Sequence, residues 1–513
     1  KYGVFDNYVK SQFVAKMADI GIVFDADVFR VTVNPLELEL KNATFNDRVS
    51  GEKLFLVRDA HLNLSVKDLY SWQLTRDVIL EKTDVSGAEA WVTFDENGKS
   101  NFANLKLVED QKGSAVNFKY DSVDFSLKDS IVHFGDKSRK ISGNAKNVVF
   151  LLSPENRDVA DDQKRYKFDL TSTDSNFIYD ERAIEKIDVR AQGIAHRNGA
   201  ELTTFDLKTP IGGTSLTGTL TDWASPKYAF DIQSSVDLTQ ASDILPLGAS
   251  LVGVGNFKGK VTGEGESYKI VGEVFTESLR ADGVSLKGAN VVATVTGTNS
   301  NYEADGTAIA QLLTFDDFRI DMLKLAGNVR GSGTDFRWVG ELQAAAARTK
   351  SLTLGGLFLS DALAEYKDKQ VRAEAGNGRA KRFAIGDVEF DELAARNLKF
   401  LQNGGSFSLN SASAATKSFK TKDFGLQGVT GSSVTVKHRE GVTEIGLDGA
   451  KSQTANVKDS KVKNVSVDRF RFKDLPNSTA VTLEGLRADQ VVKDGFIING
   501  VDTPLAEIEN KRS

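Results

Sequence analysis

The sequence predicts an all-β protein, elongated and repetitive, with a helix at its N-terminus. Three observations carry this. Apolar residues alternate strictly with polar ones from Phe29 to Lys41: Phe29, Val31 and Val33 enclose Arg30 and Thr32, and after Pro35 the residues Leu36, Leu38 and Leu40 enclose Glu37 and Glu39. Successive strand side chains point to opposite faces, so this pattern gives strands with one apolar and one wet face. At 3.6 residues per turn the same residues scatter around a helix. Second, no long amphipathic helical pattern is interleaved with the strand patterns, which disfavours βαβ units. Third, the last half carries a loose repeat of roughly 30–39 residues, a period typical of stacked architectures.

Taken in order, residues 1–20 open with a helix, because Phe5, Val9, Phe13 and Met17 recur every fourth residue and form one stripe. It serves as a plug on the end of a β body or as a connector close to a membrane. Residues 21–154 are dense in strand signals. Pro35 marks a break or an edge, since it cannot donate to a central ladder. Ala60, Leu62, Leu64 and Val66 alternate with polar residues, as do Ala88, Ala90, Val92 and Phe94; Asn97-Gly98 then reads as a hairpin turn, because both residues tolerate positive φ. Val123, Phe125 and Leu127 continue the alternation. Short gaps imply antiparallel neighbours. The polar run from Glu155 to Arg165 is an excursion or boundary. In residues 166–260 strands resume, with a short helix from about Thr239 to Leu245. Residues 261–513 hold the repeat, each unit a turn-forming Asp or Gly followed by apolar anchors, for which Leu286, Ile320, Leu359, Phe390, Leu426, Val462 and Val492 serve.

The 513 residues exceed one compact core, which rarely grows past roughly 250–300 residues. A body in which each unit buries its face on its neighbours accommodates that length. The net charge of −6 with both signs mixed gives no nucleic-acid footprint. The absence of cysteine excludes disulfides, thiolate metal sites and cysteine nucleophiles. No apolar run is long enough to span a bilayer as a helix. The first residue is Lys1 rather than Met, so a signal sequence or membrane anchor is expected to precede it.

The N-terminal part resembles the TamB/AsmA-like superfamily. The resemblance rests on FDNYVKSQFVAKM, then GIVFDADVFRVTVNPLELELKNATF, and the stretch from LFLVRDAHLNLSVKDLYSW to VTFDENG with the following SNFANL. It covers roughly residues 1–110 well; LTGTLTDWASPKYAFDIQSSVDLTQASDIL is similar to that family's repeats, and the rest matches loosely. It implies a curled sheet, a β-taco or repeating β-groove with an apolar concave face. It also implies a periplasmic protein anchored to the inner membrane that moves phospholipids between membranes or assists outer-membrane assembly, with an outer-membrane assembly protein as a partner. About 35–40 strands at 4.8 Å spacing would make a body on the order of 150–190 Å long. The lining candidates are Val31, Val33, Leu36, Leu38 and Leu40, followed by Leu62, Leu64, Val66, Val92, Phe94, Val123 and Phe125. An apolar lining offers lipid acyl chains a transfer gain of about 0.8 kcal/mol per CH₂.

Two readings stay open. The same residues serve equally well as the packing of a closed sandwich or solenoid, which makes the chain a passive structural or adhesive rod or a subunit of a larger membrane complex. An enzyme is not expected, and neither a metal nor a cofactor is called for. His61, His133, His196 and His438 lie far apart. The acidic pairs Asp161-Asp162 and Asp316-Asp317 point to opposite faces on a strand or to water in a turn. The glycine clusters at Gly263 and Gly331 lack the Lys-Ser/Thr and helix that phosphate cradling requires.

Overall fold

A computed structural model describes residues 2–511 except 67–75, 107–115, 120–122, 158, 161–162, 224, 245–249, 282, 368–369, 404–405, 440 and 476. The fold is all-β, an open and mostly antiparallel sheet with an N-terminal helix. The chain divides into two compact units, residues 1–250 with 256–265, and residues 251–255 with 266–513.

The first unit opens with helix α1 (Tyr2–Asp19), followed by β1 (Ile22–Asp25), β2 (Val28–Val33), β3 (Leu36–Asp47), β4 (Lys53–Val66), β5 (Arg76–Phe94), β6 (Val116–Lys119), β7 (Asp124–Asp136) and β8 (Ile141–Pro154). After the polar excursion come β9 (Arg165–Tyr179), β10 (Arg182–His196), β11 (Gly199–Thr209), β12 (Gly212–Thr221), β13 (Lys227–Asp237) and the short helix α2 (Leu238–Ile244). The helix stripe does what its period requires: Val9, Phe13, Val14 and Met17 pack on the buried Phe24, Val31, Leu38 and Leu40. The Phe13 and Phe24 rings meet edge to face at 4.8 Å. The Val31 N–H donates to the Asp6 carboxylate, so the helix also satisfies the outer edge of β2. Asn34 and Pro35 make the turn between β2 and β3.

One expectation fails in this unit and a second holds only in part. The neighbours of β5 on one side are parallel: β6 and β7 both run alongside it in the same direction. Asn97-Gly98 does reverse the chain, but the returning arm is too short for a strand: one antiparallel bridge joins Phe94 and Ser100, and the Asn101 N–H donates to the Thr93 carbonyl at 2.9 Å. The reason is the Asn101 side chain, which accepts from the Thr93 N–H at 3.1 Å and donates to the Trp91 carbonyl at 2.8 Å, taking the place of a second strand.

Asp47, at the end of β3, is fully buried. The Ser50 hydroxyl and N–H and the Asn104 amide hold its carboxyl down at about 2. A depressed carboxyl pKa contributes stability above its unfolded value near 4, and that contribution disappears as pH falls towards 2. The melting temperature is therefore expected to fall between pH 4 and pH 2, and Asp47→Asn to flatten that fall; thermal unfolding followed by circular dichroism reads both.

The second unit holds β15 (Ser267–Ala281), β16 (Val284–Thr298), β17 (Asn301–Phe315), β18 (Phe318–Ser332), β19 (Asp335–Arg348), β20 (Leu352–Lys367) and β21 (Gln370–Ile385). These continue into β22 (Val388–Asn403), β23 (Ser406–Lys420), β24 (Phe424–Arg439), β25 (Val442–Val457), β26 (Ser460–Leu475), β27 (Ser478–Lys493) and β28 (Phe496–Lys511). The strand β14 (Leu251–Glu264) has residues in both units. Consecutive strands from β15 to β28 pair antiparallel, some through two-residue turns such as Asp316-Asp317 and Asp494-Gly495, while three residues join β19 to β20 and β23 to β24.

Inside these strands sits a second set of left-handed residues. Gly288, Met322, Gly356, Glu392, Gly428, Asn464 and Gly500 have positive φ at spacings of 34, 34, 36, 36, 36 and 36, one on every second strand. Opposite three of the glycines lie the side chains of Gln311, Lys381 and Gln453, where a Cβ would collide. Each left-handed residue kinks its strand without ending it and without shifting the register: Thr276 with Ala289 and Ser278 with Lys287 pair in step on either side of Gly288. The named strands number 28, fewer and longer than the roughly 35–40 the sequence suggests.

The bending brings distant strands together. In a flat sheet β23 and β26 would lie about 14 Å apart, three strand spacings. Yet the Phe419 ring is 6.3 Å from Phe470 and 6.2 Å from Phe472. The sheet folds over its apolar face here, and Phe383, Ile385, Val388, Phe419, Val436, Ile445, Phe472 and Val481 form a buried core.

Candidate functional site

The strand register aligns apolar side chains into rows that run across the strands. One row in the second unit passes through Leu279, Leu286, Leu313, Ile320, Ala347, Leu354, Phe383, Phe390, Phe419, Leu426, Ala455, Val462, Val491 and Ile498, one residue on each strand from β15 to β28. A second, nearer the other end of each strand, passes through Ile270, Val295, Ala304, Val329, Trp338, Ala364, Ala373, Phe400, Leu409, Val436, Ile445, Phe472, Val481 and Ile508. Neither row contains a polar residue. Alternation alone fixes a face within each strand; keeping that face continuous over fourteen strands also requires every turn to hold register.

Between the rows runs a lane of small residues: Gly272, Ala293, Gly306, Gly327, Gly340, Ala362 and Ala375 on β15 to β21. A Cβ at Gly306 would run into the Val292 carbonyl oxygen, and one at Gly340 into that of Ala326. At Gly306 and Gly340 the neighbouring backbone comes so close that only glycine fits. Beside it Val274, Val291, Ala308, Leu325, Leu342 and Leu359 make a third apolar row, which continues as Gly378, Ala395, Ala414 and Gly431. The small residues thus shift from one row to the next around β21. There the Leu398 side chain lies against Gly378, and Leu447 lies 2.7 Å from where a Cβ of Gly431 would stand.

The apolar face is open at β15 and β16, where Val274 is 46% and Val291 39% exposed. It is packed from β21 to β27 around Phe383, Val436 and Ile445. Beside that packing, within β22 to β28, lies a cavity of about 320 Å³, its wall made of both main rows, among them Phe419, Leu426, Val462, Val491, Val481 and Ile508.

The first unit has its own continuous row: Phe29, Leu40, Ala60, Val85, Leu127, Phe150, Leu170, Ala191, Phe205, Leu216 and Ile232. Beside it Val31, Leu38 and Leu62 lead to Thr83, a buried polar residue, and then to Phe125 and Leu152. The structure places Val31, Leu38 and Leu40 beneath α1, with Leu36, Leu62 and Leu64 half-buried against the same cluster. Val33 stands beside the turn, 66% exposed. Val92 and Phe94 are half-buried on β5, and the Phe94 ring lies 6.2 Å from Phe134. Val123 is half-buried just ahead of β7; the Phe125 ring lies 6.1 Å from Phe150. The side chain of Val66 and the pair Asp161-Asp162 fall outside the described residues. Of the cavity wall the sequence pointed to Phe390, Leu426 and Val462, as repeat anchors only, and it did not single out the residues of the lane. The signal of the row through that wall was the fixed 34- or 36-residue recurrence of Leu286, Ile320, Leu354, Phe390, Leu426, Val462 and Ile498, whereas Leu359 and Val492 stand off that row.

The polar face carries ion pairs. Glu39 takes Lys41 at 3.1 Å and Arg30 at 3.0 Å, and the Lys41 hydrogen bond holds its carboxyl below the usual range. Among the described residues Glu39, Asp59 and His61 form the one group close enough together to share a cation, but the two cations on Glu39 already neutralise it. A scan against protein-family models finds no family that matches this chain, and a search of curated proteins finds no match. The geometry therefore has to carry the functional reading.

Proposed function

We propose that the chain is a lipid-binding protein of a bacterial envelope, whose curled sheet holds the acyl chains of phospholipids along its apolar rows. The observation that carries this reading is the continuity of the two rows over fourteen strands, together with the exposure of Val274 and Val291, in the apolar row between them, at β15 and β16. A protein that needs only a core has no use for large aliphatic residues left open on the same face. The resemblance of the first 110 residues to the TamB/AsmA-like superfamily supports a place in the periplasm, attachment to the inner membrane and a role in moving lipid or assisting outer-membrane assembly. No reaction is required, only an uninterrupted apolar path.

Native mass spectrometry with lipid extraction on the purified chain tests this. Phospholipid is expected to co-purify, and Val274→Asp with Val291→Asp to lower it severalfold while the chain stays folded, since both sites are open and the two carboxylates facing each other across the ladder cost only about 1 kcal/mol. Leu38→Asp is expected to destabilise the first unit instead, because it places an unpaired carboxylate beneath α1. A lipid-free protein under gentle preparation would favour the second reading, a structural rod. The observation behind that alternative is the packed core from β21 to β27.

A further inference from the structure

The cavity within β22 to β28 differs from the open face at β15 and β16, and it selects its occupant more narrowly. We propose that it is a seat for one unbranched alkyl chain, an inference that rests on the lipid-binding reading. At about 320 Å³ it lies at the lower end of ligand pockets. It is about twice the size of an apolar cavity known to stay dry and accept benzene. Its wall is aliphatic and aromatic, with Leu426, Val465, Leu483 and Leu486 among the partly buried side chains facing the core. The Ser452 hydroxyl at the wall is already spent, donating to the carbonyls of Gln427 and Thr454.

These facts exclude a polypeptide. A strand or helix would bring an N–H and a C=O with every residue into a wall without partners for them. A helix 10–12 Å across would also not fit. An alkyl chain brings no polar group at all. Phe390, Val429 and Leu447 are shared with a neighbouring space of only about 50 Å³. A chain seated here stops at that wall. Charged Asp423, Lys451, Lys458 and Glu509 also line the cavity and offer a polar head a place among them. A free fatty acid and one chain of a diacyl lipid share this chemistry.

The chain contains no cysteine, so a single one can report on the site. In a Val465→Cys variant of the full chain, the rate of thiol labelling is expected to fall about tenfold at palmitate near ten times its Kd. Native mass spectrometry should show one palmitate per chain. The same titration with dipalmitoyl phosphatidylglycerol distinguishes the sources: protection by it as well means that one chain of a diacyl lipid enters, and protection by palmitate alone means a free single-chain amphiphile. Ala488→Trp fills the cavity and should abolish the protection; if that variant does not fold, Val491→Phe replaces it. Unchanged labelling with either ligand, or protection that survives a folded cavity-filled variant, overturns the proposal. If co-purified phospholipid is lost from Val274→Asp with Val291→Asp while the cysteine is indifferent to ligand, the cavity assignment fails and the open-face reading stands.

Discussion

Phe472→Ala is expected to cost about 3–5 kcal/mol in the second unit. The Phe472 side chain is 2% exposed and touches rings on two strands that are not its neighbours, Phe419 on β23 and Phe424 on β24. It therefore holds the fold-over of the sheet and is more than one contact in a ladder. The residue left behind cannot be replaced by collapse, because the backbone of β26 is fixed on both sides by β25 and β27. Urea denaturation with hydrogen exchange should show amides of β23 to β27 losing protection first. Amides of β3 and β4 beneath α1 should keep theirs. A loss below about 1 kcal/mol would mean that the rings meet without supporting the curl.

Much of this fold was legible in the sequence, and the exceptions have physical reasons. Alternation around Phe29 to Leu40 gave the strands β2 and β3 and the face they bury, and the four-residue spacing of Val9, Phe13 and Met17 gave the helix. Alternation is local, so it carries no information on what covers a face; that α1 lies on Val31, Leu38 and Leu40 depends on contacts distant in sequence. The parallel course of β5 and β7 was hidden for the same reason, since a long connection erases the hairpin signal. In the second half the obstacle was different. Gly288, Gly428 and Asn464 have the chemistry of turns but sit inside strands whose register runs unbroken past them, which only the pairing with the partner strand shows. Without that register an anchor lands off its row, as with Leu359 and Val492. The candidate site was legible as a property, an apolar face, but its open and closed stretches were not. Openness is decided by whether the sheet bends far enough for Phe419 to meet Phe472.

Gly340→Val is the most disruptive change expected between β15 and β20, where the buried cluster is small, Ala289, Ala310 and Leu323 with leucines such as Leu325 and Leu342 packed on it. In β19 the site faces Gly327 and Ala362 across the ladder, inside the lane of small residues. A Cβ there runs into the carbonyl oxygen of Ala326, which is backbone and fixed by its own pairing. The strand can relieve the collision only by moving away from β18, so the loss is expected at about 3 kcal/mol or more. Gly333→Ala provides the control. That glycine has φ +60 in the turn before β19, with open space where its Cβ would stand, so only the backbone strain counts, about 1 kcal/mol. Comparing the two by chemical denaturation separates close approach from conformational freedom. If Gly340→Val proves as mild as Gly333→Ala, the lane is not what sets the curvature between β15 and β20. If it is severe, and phospholipid co-purification falls with it at temperatures where the protein remains folded, the lane of small residues shapes the open apolar face and its large aliphatic neighbours line it.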